Sequence, residues 1–191
     1  MLGKVYLALD SFLVDRAEDI VKIWNWTTGK TRADLANLLS GIHLATYPLE
    51  GYLRGDYGSA GFMGAYATIL LSLFYLANKD KDRREAAATE REVMDLNIEK
   101  TNKNLKLVGG VGSGIFAGRV ALLPANAQYA DAFERFWNPV QTTTFAGFVG
   151  SFYIMRTPYV KPGKHCLAKA KDKLEEIIAR SQVKPVMLPN Q

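Results

Sequence analysis

Few residues of this 191-residue chain have the types and spacing that catalysis requires. Cys166 directly follows His165, and because adjacent side chains of a helix point apart, they are not expected to form a nucleophile and base pair. His43 is the only other histidine, so a haem or zinc site built from this chain alone is not expected. The carboxylates from Glu90 to Glu99 alternate with basic side chains, as on a solvated surface. We therefore expect a protein that is not an enzyme and that carries no metal or cofactor.

Arg119 is the one charged residue inside the apolar segment 107–124. An arginine in such a segment is costly unless it meets a carboxylate, a lipid phosphate or water. We predict Asp131 or Glu134 as its partner within the chain, and a bound lipid phosphate is plausible. The alternative is that Arg119 extends to the lipid headgroups, and its closeness to Pro124 at the segment end favours this alternative.

Two short glycine patterns resemble nucleotide-binding motifs. The stretch 27–31 resembles the end of a P-loop, but Trp24 stands where that motif needs a glycine. Gly112-x-Gly114-x-x-Ala117, with Asp131 downstream, resembles a dinucleotide fingerprint, which requires a preceding strand and a βαβ unit. A charged helix is predicted before it, so we favour helix packing as the role of these glycines.

Small residues recur at the four-residue spacing that lets two helices approach closely. The heptapeptide 60–66, Ala-Gly-Phe-Met-Gly-Ala-Tyr, returns at 146–152 as Ala-Gly-Phe-Val-Gly-Ser-Phe, and looser similarity joins 50–53 to 134–137. These matches predict an internal repeat. The predicted packing residues are Ala60, Gly61, Gly64, Ala65, Gly110, Gly114, Gly118, Ala146, Gly147, Gly150 and Ser151.

The distribution of charge indicates where these elements lie. Hydrophobic residues make up 48% of the chain and charged residues 23%, which is ordinary, but segments 58–78, 107–118 and 136–155 contain no charged residue. A bilayer imposes this segregation and water does not. We therefore predict an all-α membrane protein with three or four transmembrane segments and amphipathic helices at both termini.

The chain divides into five predicted units. Residues 1–31 form an amphipathic interfacial helix, 32–78 the first repeat, 79–106 a charged and solvated helical linker, 107–156 a Gly-rich transmembrane helix with the second repeat, and 157–191 an amphipathic basic helix and tail. Thr31 and Asp34 predict a capping box, and Pro48 is expected to interrupt or kink the helix that follows. Trp24, Trp26 and Trp137 are expected to anchor helices at the membrane interface.

Two arguments about the number of crossings conflict. Of the 24 Lys and Arg residues, five lie in 1–34, eight in 79–106 and eight in 156–191. The positive-inside rule places these three regions on one side, which requires a crossing within 33–53. The repeat instead compares 33–53 with the charged stretch 121–137 and makes it interfacial. Three and four crossings both stay open.

The stretch from Ala33-Asp34-Leu35-Ala36-Asn37 through Gly61-Phe62-Met63-Gly64 to Ser72 resembles the C-terminal part of the peroxin-eleven family of peroxisome-elongating membrane proteins. The resemblance implies insertion of amphipathic helices and membrane curvature without enzymatic turnover. The chain departs from the family pattern because it lacks the paired serines and repeats the unit.

We expect a noncatalytic accessory subunit of a multisubunit membrane complex in an energy-transducing organellar membrane, with the mitochondrial inner membrane favoured. Its expected partners are other membrane subunits and membrane lipids, and a homo-oligomer is possible. The second alternative is a self-associating membrane-shaping protein of the peroxisomal membrane, and the third is a soluble helical nucleotide-binding enzyme. Despite a net charge of +5, the chain lacks the interleaved aromatic and basic residues of single-strand binders, so no nucleic-acid partner is expected.

Overall fold

A computed structural model describes residues 2–91, 96–161, 166, 169–170 and 173–176. It contains five helices: α1 (Leu2–Thr28), α2 (Arg32–Leu53), α3 (Tyr57–Arg91), α4 (Leu96–Tyr129) and α5 (Ala132–Ile154). No strand occurs among the described residues, which confirms the all-α prediction. Most of the predicted C-terminal helix lies outside the described residues; the described part at 166, 169–170 and 173–176 is helical.

Capping residues and glycines fix the ends of these helices. The predicted capping box is confirmed, because the Thr31 side chain accepts a hydrogen bond from the Asp34 backbone N–H while the Asp34 carboxylate accepts one from Thr31. Gly29 and Gly55 follow α1 and α2 with φ of 68° and 76°, a conformation that side chains disfavour. The turns at both ends of α2 therefore depend on local sequence.

The prolines do not end their helices. Of the interruption or kink predicted at Pro48, the interruption is wrong, since α2 continues to Leu53; α4 likewise runs through Pro124. A helix tolerates the missing proline hydrogen bond when packing around the ring supplies enough contact. Gly64 of α3 lies close to Pro48, since a Cβ placed on this glycine would be in ordinary van der Waals contact, 3.7 Å from the Cβ of Pro48.

The helices form a layer in the order α3, α2, α5 and α4. Helix α2 packs against both α3 and α5, α4 packs against α5, and α3 and α4 make little contact. Helix α1 lies across α5 and α2, and the apolar core is centred where these three helices meet. The apolar stripe of α1 is only partly in this core: Ala17 is buried, whereas Leu9 and Ile20 are exposed.

Two helices contain stretches that are long and apolar enough to cross a membrane. These stretches are Tyr57–Thr89 in α3 and Asn97–Ala125 in α4. Both helices expose large apolar side chains along much of their length: Phe62, Tyr66, Ile69, Leu73 and Leu76 on α3, and Leu107, Val111, Ile115 and Leu122 on α4.

The two copies of the heptapeptide occupy different positions in the fold. The first copy, 60–66, lies in the first turns of α3, after the turn that ends α2. The second copy, 146–152, lies in the last turns of α5, in the same helix as the block 134–137. The sequence repeat thus does not produce two equivalent helix pairs, and within 107–156 the break between helices falls at residues 130–131.

Candidate functional site: two layers of ion pairs and the faces between them

A buried charge cluster lies where the start of α2 meets the second half of α3. It consists of Arg32, Lys81, Asp82 and Glu85. The Arg32 side chain is only 1% exposed, and its Nε donates a hydrogen bond of 2.8 Å to Asp82 Oδ1. Arg32 also pairs with Glu85, and Lys81 pairs with the same carboxylate. Two cations and two anions therefore neutralise one another in a site that water hardly reaches.

Backbone groups from two further positions complete the buried charge cluster. The Ala33 N–H, one of the free donors at the start of α2, donates to Asp82 Oδ2 over 3.3 Å. Lys81 Nζ donates to the Met155 carbonyl at the end of α5 over 2.7 Å. The cluster thus joins α2, α3 and α5. The predicted solvated linker 79–106 is wrong at Lys81 and Asp82, because α3 continues straight through them and packs them against α2.

A second group of charges lies at the same end of the helices. Arg156 donates two hydrogen bonds to the buried Asp10 carboxylate, of 2.6 and 2.9 Å, and Lys106 lies 3.3 Å from it. The hydrogen bond from Arg156 lowers the pKa of Asp10 below its ordinary value, against the opposing effect of burial, and Lys106 adds to the lowering. These contacts fix α1 to α4 and to the residues that follow α5.

Another polar layer lies at the opposite end of the helices. Arg54 pairs with Glu50 at 3.2 Å and with Glu134 at 3.4 Å, which links the end of α2 to the start of α5. Gln141 donates to Glu50 over 2.7 Å, and the Arg54 guanidinium lies 4.7 Å from the centre of the Phe133 ring. These pairs are more exposed than the buried charge cluster, so each adds less to stability.

The two layers are separated by the thickness of a bilayer core. Glu50 follows Arg32 by eighteen residues of α2, which is about 27 Å of helix. The stretch from Arg135 in α5 to Arg156, two residues after its end, is about 31 Å long at helical rise. Charged residues are absent from 35–49 in the first stretch and from 136–155 in the second. The hydrocarbon core of a bilayer is about 30 Å thick, so the layers match its two boundaries.

Arg119 lies beside the second layer, without the partner predicted for it. Its guanidinium is 5.3 Å from the centre of the Phe145 ring. Glu134 is paired with Arg54, and Asp131 accepts a hydrogen bond from the Glu134 backbone as the N-cap of α5. The predicted pair of Arg119 with Asp131 or Glu134 is therefore wrong. A small cavity of about 100 Å³ contains Arg119 with the polar side chains Asn138, Gln141 and Thr142.

Helix α4 packs on α5 through glycines other than the predicted ones. A Cβ on Gly109 would lie 3.3 Å from the Tyr153 ring, and one on Gly112 would lie 2.9 Å from Val149 Cγ2. The predicted face is turned away: Gly110 is half-buried, while Gly114 and Gly118 are exposed with open space beside them. Both glycine registers occur in the same segment, and spacing alone could not decide which one meets α5.

The other predicted packing residues divide in a similar way. Gly64 faces Pro48, Ser151 hydrogen bonds to Ser40 of α2 over 3.2 Å, and a Cβ on Gly147 would lie 3.5 Å from Leu39. Ala60 lies against Gly51, a close approach that the sequence did not reveal, since a Cβ on Gly51 would be 2.9 Å from the Ala60 nitrogen. The remaining members lie in open positions or are partly exposed: Gly61, Ala65, Ala146 and Gly150.

Only one of the three predicted tryptophan anchors is exposed. Trp26 is 62% exposed, and its role as an interface anchor stays a prediction. Trp24 is half-buried and donates its indole N–H to the Thr31 carbonyl over 3.1 Å. Trp137 is buried and stacked on Phe133. Its role as an interface anchor is therefore wrong, because α5 turns this face of its first turns inward.

The described residues do not support a dinucleotide fold around Gly112. The fingerprint needs a strand before the glycines, and residues 96–129 form one helix. Among the residues described, no group of three or more His, Cys, Asp or Glu side chains is placed to hold a metal ion.

Comparison of the chain with protein-family models, with curated proteins and with solved structures found no match. The resemblance to the peroxin-eleven family accordingly stays a prediction.

Proposed function

We propose that this chain is an integral membrane protein in which α2, α3, α4 and α5 each cross the bilayer once. The observation that carries the proposal is the pair of ion-pair layers, about 27 Å apart along α2, with the uncharged residues 35–49 between them. Within a bilayer, charges are stable at the boundaries and costly between them. In this arrangement α1 lies along the boundary that contains the buried charge cluster.

The basic residues support the same orientation. Residues 1–34 contain five Lys and Arg and residues 79–106 contain eight, and the described residues of both regions lie at the end of the buried charge cluster. Arg54 and Arg135 lie at the other end, and Arg119 lies beside that layer. The positive-inside rule then assigns the buried charge cluster to the cytoplasmic or equivalent face.

We propose a noncatalytic, structural role for this four-helix unit as an accessory subunit of a membrane complex. The support comes from α3 and α4, the two outer helices of the layer. Both expose apolar side chains, and α4 also exposes Gly114 and Gly118, which offer a second helix a close approach within the membrane. Its expected contacts are transmembrane helices of other subunits and lipids.

Single-cysteine labelling tests the number of crossings. In a Cys166→Ser background, Lys30→Cys and Thr101→Cys are expected to react with a membrane-impermeant maleimide from one side of sealed vesicles. Ser59→Cys is expected to react only from the other side. All three positions are exposed, so accessibility within the fold does not bias the comparison. Labelling of Lys30→Cys together with Ser59→Cys from one side would show that α2 does not cross.

Extraction and native electrophoresis test the remaining parts of the proposal. The protein should stay in the membrane pellet after carbonate washing, and release into the wash would refute the membrane assignment. In mild detergent it should migrate with larger partners that can be identified by mass spectrometry. Migration as a free monomer in extracts of native membranes would contradict the accessory role.

A membrane-shaping role is the second candidate, and α1 is the observation that favours it. This helix exposes Phe12, Ile23 and Trp26 while also carrying charged side chains, as helices embedded in one leaflet do. Purified protein added to large phosphatidylcholine vesicles should then form tubules, and Phe12→Asp with Ile23→Asp should abolish them. Vesicles that stay spherical with the native protein would exclude this role.

A further inference from the structure

An apolar cavity opens between α2, α3 and α5, away from both ion-pair layers. Its volume is about 330 Å³, within the range of small-molecule sites. The wall is mostly apolar and rich in rings, and includes His43, Tyr47, Met63, Tyr66, Phe145 and Phe148. The His43 ring lies 5.3 Å from the rings of both Phe145 and Phe148.

The cavity lies halfway between the two layers. His43 follows Arg32 by eleven residues of α2 and precedes Arg54 by eleven, about 16 Å of helix in each direction. Polar side chains at this depth of a membrane protein usually serve a function, because they are costly there. The polar groups of this cavity are therefore the ones whose chemistry indicates a ligand.

A chain of hydrogen bonds at the cavity has a defined direction. The Thr144 hydroxyl donates to the Gln141 carbonyl over 3.1 Å, so its oxygen is left to accept. His43 Nδ1, 3.1 Å from that oxygen, must then carry a proton and donate it. Both ring nitrogens face hydroxyl groups rather than a carboxylate, so the ring is neutral and Nε2 is an acceptor. Tyr47 must therefore donate its hydroxyl proton to Nε2 over 3.2 Å.

This direction leaves Tyr47 with an oxygen that can only accept. The Tyr47 hydroxyl has one proton, and His43 already receives it. A ligand that meets this oxygen has to bring its own donor, which a hydroxyl group does and a ketone or an ether does not. The surrounding rings of Tyr66, Phe145 and Phe148 favour a flat apolar body next to that hydroxyl.

We infer that the cavity binds a lipid-soluble ring alcohol or phenol, a molecule with one hydroxyl on a flat apolar body, and that this hydroxyl donates a hydrogen bond to Tyr47 Oη. Sterols and alkylated hydroquinones share this chemistry. The inference rests on the proposed membrane location for the route by which such a ligand arrives, whereas the hydrogen-bond direction depends only on the contacts around His43.

Binding to matched pairs of ligands tests the inference. The protein is placed in phosphatidylcholine nanodiscs and titrated with cholesterol or a decyl hydroquinone, each compared with its methyl ether. Ligand-induced stabilisation gives the affinities. At least one hydroxyl ligand is expected to bind about three to ten times more tightly than its ether, the value of one neutral hydrogen bond. The ligand that shows this preference identifies the source, sterol or hydroquinone.

Two tyrosine variants locate the hydrogen bond. Tyr47→Phe should remove the preference for the hydroxyl ligand over its ether, and Tyr66→Phe, which alters the same cavity, should retain it. If Tyr47→Phe fails to fold, the comparison of the hydroxyl ligand with its ether on the native protein still tests the inference. Equal affinities for ligand and ether, no binding of either hydroxyl ligand, or a preference that survives in Tyr47→Phe would overturn the inference. Maleimide labelling of the protein in sealed vesicles separates such a failure from a failure of the proposed membrane topology.

Discussion

Replacing Arg32 with methionine isolates the contribution of charge balance in the buried charge cluster. Methionine keeps much of the volume of the side chain but leaves Lys81 as the only cation beside Asp82 and Glu85. One negative charge then has no compensation in a site where the native arginine side chain is 1% exposed. Removing one partner of a buried ion pair typically costs about 3–5 kcal/mol. We expect Arg32→Met to lower stability by this amount.

A second substitution should restore most of that loss. Asp82→Asn removes one negative charge but keeps an oxygen that accepts from the Ala33 N–H. The double variant Arg32→Met, Asp82→Asn therefore leaves one neutral pair, Lys81 with Glu85, and a satisfied helix start. We expect it to lie within about 2 kcal/mol of the native protein, because a neutralised buried site no longer contains an unpaired charge.

Thermal unfolding in mild detergent measures both effects. For a chain of this length about 1 kcal/mol corresponds to roughly 2–4 °C, so Arg32→Met should unfold roughly 6–20 °C below the native protein. Arg84→Met is the matched control, since its pair with Asp80 is at the same end of α3 but 48% and 56% exposed. It should change the midpoint little. The reasoning is refuted if Arg32→Met behaves like Arg84→Met, or if the double variant is as unstable as the single one.

Two further predictions concern helix packing and pH. Gly112→Leu should destabilise the isolated protein by about 1–3 kcal/mol, because its Cβ would lie 2.9 Å from Val149. Gly114→Leu has open space beside it and should weaken only assembly with partners. Unfolding midpoints and native electrophoresis distinguish the two variants, and equal unfolding midpoints would contradict the packing of α4 on α5. Arg156 lowers the pKa of Asp10 in the native state, so the unfolded state binds more protons as the pH falls. The ion pair therefore contributes its full stability above the pKa that Asp10 has in the unfolded state. This stability is lost as the pH falls through the pKa that Asp10 has in the native state. Between about pH 5 and pH 3, native protein should lose stability more steeply than Asp10→Asn, and parallel curves would count against this assignment.

Local signals in the sequence predicted local structure well. The capping box at Thr31 and the apolar segment after Tyr57 depend on residues within a few turns, and the structure has a helix start and a potential membrane-spanning stretch at these places. Pro48 misled the prediction because its effect depends on the neighbouring helix. That neighbour is α3, whose Gly64 lies close to the proline, and no local pattern reveals this contact.

The long-range contacts of the site were beyond the sequence pattern. Lys81 and Asp82 belong to a stretch of alternating charges that is typical of a solvated helix, and their burial results from Arg32, some fifty residues earlier. The spacing of glycines in α4 indicated a packing helix but not which of its faces packs. Gly109 and Gly112 contact α5, but they lie beside the more regular series Gly110, Gly114 and Gly118. Which side chains pair between helices depends on which helix faces lie against each other, and a single sequence does not contain that information.

The buried charge cluster also bears on the order in which the helices are made. Arg32 precedes both of its acidic partners in the chain, so its charge has no compensation until the second half of α3 has been synthesised. In the proposed four-span topology, entry of α2 into the lipid is therefore least costly when α3 enters with it, as a hairpin that already holds the ion pairs. Lys81 then awaits the Met155 carbonyl, which emerges only with the end of α5. In the proposed topology, α2 and α3 thus enter the membrane as a hairpin, and the end of α5 joins this hairpin later through Lys81.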